Sequence, residues 1–449
     1  MTSQSPIIII GNGIAGTTLG RNIRKNSTHP ILIISKESDY FFSRTALMYV
    51  YMGHLKWEHL EPYEKGFWQQ NNIDLLKAEV TQIKADEKII LLANGQHLSY
   101  SSLVLATGST PNKFGWKGQD LDGVQGLYTK QDLEKLTANT PNIKQAVVVG
   151  GGLIGIELVE MLHSRGIGVT FLVREDSFWN KVISPHEGDM IEKHILAHGI
   201  DLKMSTNLVE IVANEKGQAT AVITDQGESL PCQIVGLTAG VRPNIDFLKN
   251  SDLEMNRGIL VDQHLATNLP DIYAIGDCAE LRAPLPHRNA IEAVWYVGRM
   301  MGETLAQSLT GNLSPYSPGH WFNSAKFFDI EYQVYGSVPN NPREGIGQLF
   351  WKHPKKNKSI RLVYDLSTKE IMGFNLMGIR YRHEVCEKWI SEKTHIEEVL
   401  SNLTLANFDP EFFSSYERLL VDTYNKETGS SLKLKQKKSL SNVLNFLSK

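Results

Sequence analysis

The first strong pattern in the chain is an apolar run, Ile7–Ile10, with no polar position inside it. A run this short, apolar on both faces, predicts a strand buried in the middle of a parallel sheet. Gly11-Asn12-Gly13-Ile14-Ala15-Gly16 follows, then a helical stretch to about Lys25 and a second apolar run, Ile31–Ser35. Leu103-Val104-Leu105-Ala106-Thr107-Gly108 reads as another buried strand leading into a turn. Residues 110–130 are rich in Pro, Gly, Asn and Asp, a linker composition. The pattern then restarts. A strand is predicted over 146–149, a turn at Gly150-Gly151-Gly152-Leu153-Ile154-Gly155, a helix over 156–165 and a strand over 169–173. A repeat about 140 residues long is no solenoid period and implies two similar nucleotide-binding domains.

A third punctuation, rich in Pro, Ser and Gly, lies at 311–319. Beyond it, strands are predicted over 348–353, 360–366 and 370–377, the last two as a hairpin around Ser367-Thr368-Lys369. Helices are predicted near 383–394 and 395–403. Another is expected after Pro410, with Phe412, Phe413, Tyr416, Leu419 and Leu420 on one face and Gly429 as its cap. The fold class is therefore α/β: two Rossmann-like three-layer domains and a C-terminal α+β domain.

Composition narrows the chemistry. The 449 residues exceed one core and suggest two or three domains, and 41% are hydrophobic, as in globular proteins. A net charge of −3 gives no basic field for nucleic acid. Cys232, Cys278 and Cys386 are far apart, so a redox CxxC pair and zinc-type cysteine spacing are both absent, and no metal centre is expected. So sparse a count suits a reducing cytosol. The N-terminus does not read as a signal peptide, and no stretch nears the ~20 apolar residues of a membrane span. A soluble cytoplasmic protein, peripheral at most, is expected.

The glycine turns carry the candidate chemistry. Each lies between an apolar strand and a helix, as phosphate binding requires. Gly11 and Gly150 permit the sharp turn, Gly13 and Gly152 let backbone amides approach a pyrophosphate, and Gly16 and Gly155 allow close helix packing. The helix N-terminus then offers unpaired N–H groups to the anion. After the second strand of the first copy, Ser35-Lys36-Glu37 places Glu37 as a ribose ligand or a solvated loop charge. In the second copy Val173 stands where an acid would favour NADH. Arg174 would meet the 2′-phosphate of NADPH or is a surface arginine. His163, His194, His198, His287 and His383 are candidate bases by residue type only, with no partner visible in their spacing.

Together these residues resemble the pyridine nucleotide–disulfide oxidoreductase superfamily. Ala106-Thr107-Gly108-Ser109-Thr110-Pro111-Asn112 looks like its ATGxxPN segment and Ala239-Gly240-Val241-Arg242-Pro243-Asn244 like the second-domain counterpart. Ile272-Tyr273-Ala274-Ile275-Gly276-Asp277-Cys278 looks like the strand whose Gly-Asp end reaches the flavin. The five motifs, in family order, cover residues 7–300; beyond 318 only element order matches.

The resemblance implies FAD and NADH or NADPH as cofactors. It implies a split FAD domain, 1–110 with 240–317, an inserted NAD(P) domain at 111–239, a C-terminal domain at 318–430 and a basic tail at 431–449. For FAD it implies Gly11, Gly13, Ile14, Ala15, Gly16, Lys36, Glu37, Arg44, Val80, Ala106, Thr107, Gly108, Gly240, Gly276, Asp277 and Ile291. A helix opening near Ala290 would point at the flavin. For NAD(P) it implies Gly150, Gly152, Leu153, Ile154, Gly155 and Arg174, with Glu157 at the nicotinamide–flavin junction. Trp321, Lys326, Phe327 and Phe328 either cover the flavin or pack the third domain; Trp295 and Tyr296 are assigned to packing.

The chain departs from the thiol enzymes of the superfamily. No cysteine pair lies on the first helix, and Arg44 stands where coenzyme A disulfide reductases and water-forming NADH oxidases carry a cysteine. It looks closer to rubredoxin reductases, nitrite-reductase flavin domains and apoptosis-inducing-factor-like proteins, although a lysine of some relatives is replaced by Tyr49. The leading expectation is an NAD(P)H reductase serving a carrier protein such as rubredoxin or ferredoxin. The alternatives are a peripheral quinone reductase and a redox-sensing binding protein. Lys433, Lys435, Lys437 and Lys438 before Leu440, Val443, Leu444, Phe446 and Leu447 form a basic amphipathic segment for a membrane or carrier, or a disordered tail. Oligomerisation stays open.

Overall fold

A computed structural model describes residues 4–341, 343–408 and 414–435. They fall into two compact units, Met1–Val169 with Leu208–Pro318, and Thr170–Asn207 with Gly319–Lys449.

The first unit is built on a five-stranded parallel sheet ordered Ile272–Ala274, Ser102–Leu105, Ile7–Ile10, Ile31–Ser35, Ile73–Lys77. Ile7–Ile10 pairs on both edges, with Ile31–Ile34 and with Ser102–Leu105, and its side chains are buried on both faces, as in a parallel sheet covered on each side. The distant strand Ile272–Ala274 completes the sheet beside Leu103–Leu105. The helix Ile14–Asn26 buries Ala15, Leu19 and Ile23. It packs closely on the helix Trp295–Leu309 because Gly302 faces it: a Cβ there would come within 2.7 Å of the Ala15 carbonyl oxygen.

A second parallel set in this unit runs Gln145–Val149, Ile234–Leu237, Val124–Gln125. Two antiparallel three-stranded sheets also belong to it, Val80–Lys84, Ile89–Leu92, His97–Ser99 and Leu208–Ala213, Ala219–Thr224, Ser229–Pro231. The linker region is more ordered than its composition suggests. Ser109–Pro111 pairs antiparallel with Val241–Pro243, so the two Pro-Asn motifs clasp each other. Asn112 N–H donates to the Gly240 carbonyl at 3.0 Å, and Asn244 N–H to that of Gly108 at 2.9 Å.

The second unit carries a five-stranded antiparallel sheet, Phe322–Phe327, Ile330–Gly336, Ile371–Met377, Ser359–Asp365, Ile346–Lys352. Its first hairpin, through Phe328-Asp329, is absent from the sequence expectations. Helices His383–Ser391, Ile396–Ser401 and Glu417–Thr428 accompany the sheet, and Phe374 stacks on Trp389 in the core. The last helix begins at Glu417 and ends at Gly429 in the left-handed conformation. Leu420, Val421 and Tyr424 form its buried face; Leu419, expected on that face, is 45% exposed, because the face begins one position later. Phe412, Phe413 and the tail beyond 435 lie outside the described residues. Helix Pro185–Ala197 belongs to this unit through a buried ion pair: Arg361 Nη2 lies 2.9 Å from Glu187 Oε2, and Asn375 Nδ2 donates to Glu187 Oε1. Among the described residues, no helix is long and apolar enough to cross a membrane.

Candidate functional site

The two glycine turns have closely matching backbones. Gly11 and Gly150 both sit at φ +117°, where other residues are strained. A Cβ on Gly11 would meet the Ala106 carbonyl oxygen at 2.1 Å, and one on Gly150 that of Thr238 at 2.6 Å. Gly16 and Gly155 are pressed against the carbonyls of Gly11 and Gly150, where a Cβ would come to 2.0 Å in each case. Gly13 and Gly152 differ: a Cβ on either meets nothing within 4 Å.

These open glycines are the N-caps of helices Ile14–Asn26 and Leu153–Ser164. Neither helix has a side-chain cap or an acidic residue in its first turn. The helix Trp295–Leu309 lacks both as well. By contrast, Lys130–Asn139 is closed by a Thr129–Asp132 capping box and Pro185–Ala197 by Ser184 and Glu187. Among the described helices of ten residues or more, these three alone have neither a side-chain cap nor a first-turn acid, which leaves their N–H groups open to an anion.

A cavity of about 1070 Å³ in the first unit joins them. Its walls include Gly11, Gly13, Ile14, Ala15, Lys36, Glu37, Arg44, Val80, Ala106, Thr107, Gly108, Gly276 and Asp277. Leu153, Ile154 and Glu157 of the second glycine turn and its helix also reach it. Gly16, Gly150, Gly152, Gly155, Gly240 and Ile291 do not line it; Ala293 and Trp295 do. Trp295 is therefore a cavity residue rather than simple packing. The helix it opens starts five residues later than Ala290. The intervening segment is held by a buried Arg288–Glu292 pair, with Arg288 Nε donating to Glu292 Oε1 at 2.7 Å.

Glu37 is no solvated charge. Arg44 grips it with both terminal nitrogens, and the Lys130 N–H donates to it at 2.9 Å. Arg44 also donates to the Tyr128 carbonyl and lies over that ring at 4.7 Å. Burial works against the Arg44 charge, but Glu37, Tyr128 and Asp277 outweigh it and raise its pKa. Deeper in, Ser109 Oγ donates to Asp277 Oδ2 at 2.8 Å. Burial raises the Asp277 carboxyl above its ordinary range, against the opposing pull of Ser109 and Arg44. Ser109, a variable position of the Ala106–Asn112 motif, and Tyr128, which lies outside every motif, are cavity residues that the sequence does not single out.

Three predicted residues lie in the second unit. Arg174 is exposed and pairs with Glu175 at 3.0 Å. Phe327 is fully buried and packs edge-on to Phe178, Trp179 and Tyr332, the packing alternative. Lys326 is on the same strand. The histidines do have partners, contrary to the sequence reading: His383 meets Glu387, and His194 meets Asp329 and Asn357. All three cysteines are buried free thiols. Burial pushes Cys232 up to about 12 and raises Cys278 and Cys386 too, so none is primed as a thiolate.

The walls fit a dinucleotide: open N-termini for pyrophosphate, a half-buried carboxyl and hydroxyls for sugar groups, and apolar sides for a flat ring. A model of the pyridine nucleotide-disulphide oxidoreductase family matches residues 5–302. A rubredoxin-NAD(+) reductase of Acinetobacter baylyi is 31% identical over 323 residues, covering 70% of this chain and 81% of the relative. An NADH oxidase of Methanocaldococcus jannaschii is 33% identical over 340 residues, 72% of this chain and 74% of the relative. In fold, the chain is similar to a ferredoxin reductase from Rhodopseudomonas palustris, with a TM-score of 0.77 at 24% identity over 84% of this chain and 91% of that one.

Proposed function

Because the chain belongs to the pyridine nucleotide-disulphide oxidoreductase family, we propose that it moves electrons from NAD(P)H to a small carrier protein of the rubredoxin or ferredoxin class. It is an FAD-dependent NAD(P)H oxidoreductase. The observation that carries the fuller reading is the shared cavity, into which both the FAD-type turn and Leu153, Ile154 and Glu157 of the second turn project.

When bound, FAD supplies hydride acceptance and onward release of single electrons. The protein's part is placement. The N-terminus at Gly13 holds a pyrophosphate, Asp277 and Ser109 hold sugar hydroxyls, and the Glu37–Arg44 pair fixes the adenosine side. The N-terminus at Trp295 favours negative charge on the ring. Gly152 cradles the nicotinamide dinucleotide, and Glu157 orients its ring. Arg174 is assigned to a 2′-phosphate on its residue type and its place after the strand. This reading divides the chain as 1–110 with 240–317 for FAD, 111–239 for NAD(P) and 318–430 for the C-terminal domain. Buried, high-pKa thiols support acceptors other than disulfides, and with their sparse number they support a cytoplasmic setting.

The test is turnover. Under anaerobic conditions the holoenzyme with NADH or NADPH should turn over rapidly only when rubredoxin or a [2Fe–2S] ferredoxin is present. Faster turnover with a membrane quinone would favour a peripheral quinone reductase. Slow reduction with nucleotide-dependent dimerisation would favour a redox-sensing role.

A further inference from the structure

The second unit contains a cluster that the proposed electron transfer does not use. His194 and His198 stand one turn apart at the end of the helix Pro185–Ala197. Asp329 lies in the turn of the hairpin Phe322–Phe327, Ile330–Gly336. One ligand atom from each lies within 4.8 Å of the others. We propose that His194, His198 and Asp329 bind a divalent transition metal of the zinc class, which fastens the hairpin turn to the helix.

Three observations go beyond proximity. First, the His198 ring is already oriented. His198 Nδ1 lies 2.8 Å from the His194 carbonyl oxygen, which can only accept, so Nδ1 carries the hydrogen and the lone pair of the neutral ring is on Nε2. The His198 ring also stacks on Phe328, with centroids 4.3 Å apart and planes 19° apart. Second, His194 has the outer partner that ligating histidines carry: Asn357 meets its Nδ1 at 2.9 Å. Turning that amide over presents Oδ1 to Nδ1–H and directs the Nε2 lone pair to the metal. Third, His194 Nε2 already contacts Asp329 Oδ1.

Two imidazoles and one carboxylate match the three-ligand sets that zinc accepts, with a fourth position for water. Ligands about 2.1 Å from a tetrahedral centre lie about 3.4 Å apart. Asp329, with a side chain 81% exposed, can move the remaining distance, whereas the His194 side chain, 10% exposed, cannot. Thiolate-loving metals are disfavoured because the set has no sulfur, and calcium because two of its three ligands are nitrogen.

The test is zinc chloride titration, by calorimetry, of tag-free, chelator-washed, FAD-loaded full-length protein. One zinc per chain should bind with micromolar or tighter affinity and raise the melting temperature. Asp329→Ala, on an exposed turn, should weaken binding at least tenfold with the far-UV circular dichroism unchanged, as should His198→Ala. Asn357→Ala should weaken it about tenfold. Wild-type protein that takes up no zinc at 100-fold excess over micromolar, or variants that bind as wild type does, would overturn the site.

Discussion

The Arg44 guanidinium and the Glu37 carboxylate meet fork to fork, Nη1 to Oε1 at 2.9 Å and Nη2 to Oε2 at 2.5 Å, at the rim of the cavity. Each charge-assisted bond contributes about 1.5–3 kcal/mol. Glu37→Ala leaves the half-buried guanidinium without its partner and frees the Lys130 N–H. We expect a 10- to 100-fold weaker hold on FAD, read from the fluorescence of released flavin. Arg44→Lys alone should weaken the hold as well, because an ammonium cannot form the fork with Glu37.

Gly150 and Gly152 separate folding from binding. Ala at Gly150 needs φ +117° and a 2.6 Å approach to the Thr238 carbonyl, and should destabilise the protein by about 3 kcal/mol or more. Ala at Gly152 meets nothing and should cost about 1 kcal/mol or less as an N-cap change. G152A should therefore keep its fold and its flavin spectrum but bind NAD(P)H at least tenfold more weakly, measured by equilibrium titration. Unchanged nucleotide affinity in G152A would remove the second cradle from the reading.

Asp277 gives a pH signature in the apoprotein. Burial raises its folded-state pKa above that of the unfolded chain. Between the two values the folded state holds a proton the unfolded state lacks, so stability falls as pH rises through that window. Asp277→Asn carries no charge at any pH. Its melting temperature should match wild type below the window and exceed it above. A constant difference across pH would contradict the assignment.

The thiols should be silent. Cys232, Cys278 and Cys386 are buried, with pKa values raised by burial. Native protein should show no fast-reacting thiol toward a disulfide reagent, and three after denaturation. Alkylation under native conditions should leave turnover unchanged, and a fast thiol coupled to loss of activity would place the protein with the thiol enzymes.

What the sequence disclosed follows from range. The strand–glycine–helix turns are local, and their backbone was legible because six consecutive residues, Gly11–Gly16 and Gly150–Gly155, build each turn. The FAD-type sheet was partly legible, since Ile7–Ile10 announces burial on both faces, but nothing local shows that Ile272–Ala274 closes its edge. Tyr128 and Ser109 were missed because their role rests on contacts distant in sequence: the Ser109 N–H meets the Tyr128 hydroxyl and Ser109 Oγ meets Asp277, 168 residues away. The helix expected from Ala290 starts at Trp295, which puts that residue on the cavity wall, a placement the local pattern does not show. The histidine cluster was hidden for the same reason: His194 and His198 sit far from Asp329 until the hairpin forms.

The proposed transfer from NAD(P)H to FAD requires the two dinucleotides to meet in one cavity, and one anaerobic titration tests it. The purified protein should carry one FAD per chain, and one equivalent of NADH or NADPH should abolish its visible absorbance, whereas G152A should keep the colour and need far more nucleotide. A protein that stays colourless after incubation with FAD, or a flavin that neither nucleotide bleaches, would contradict it.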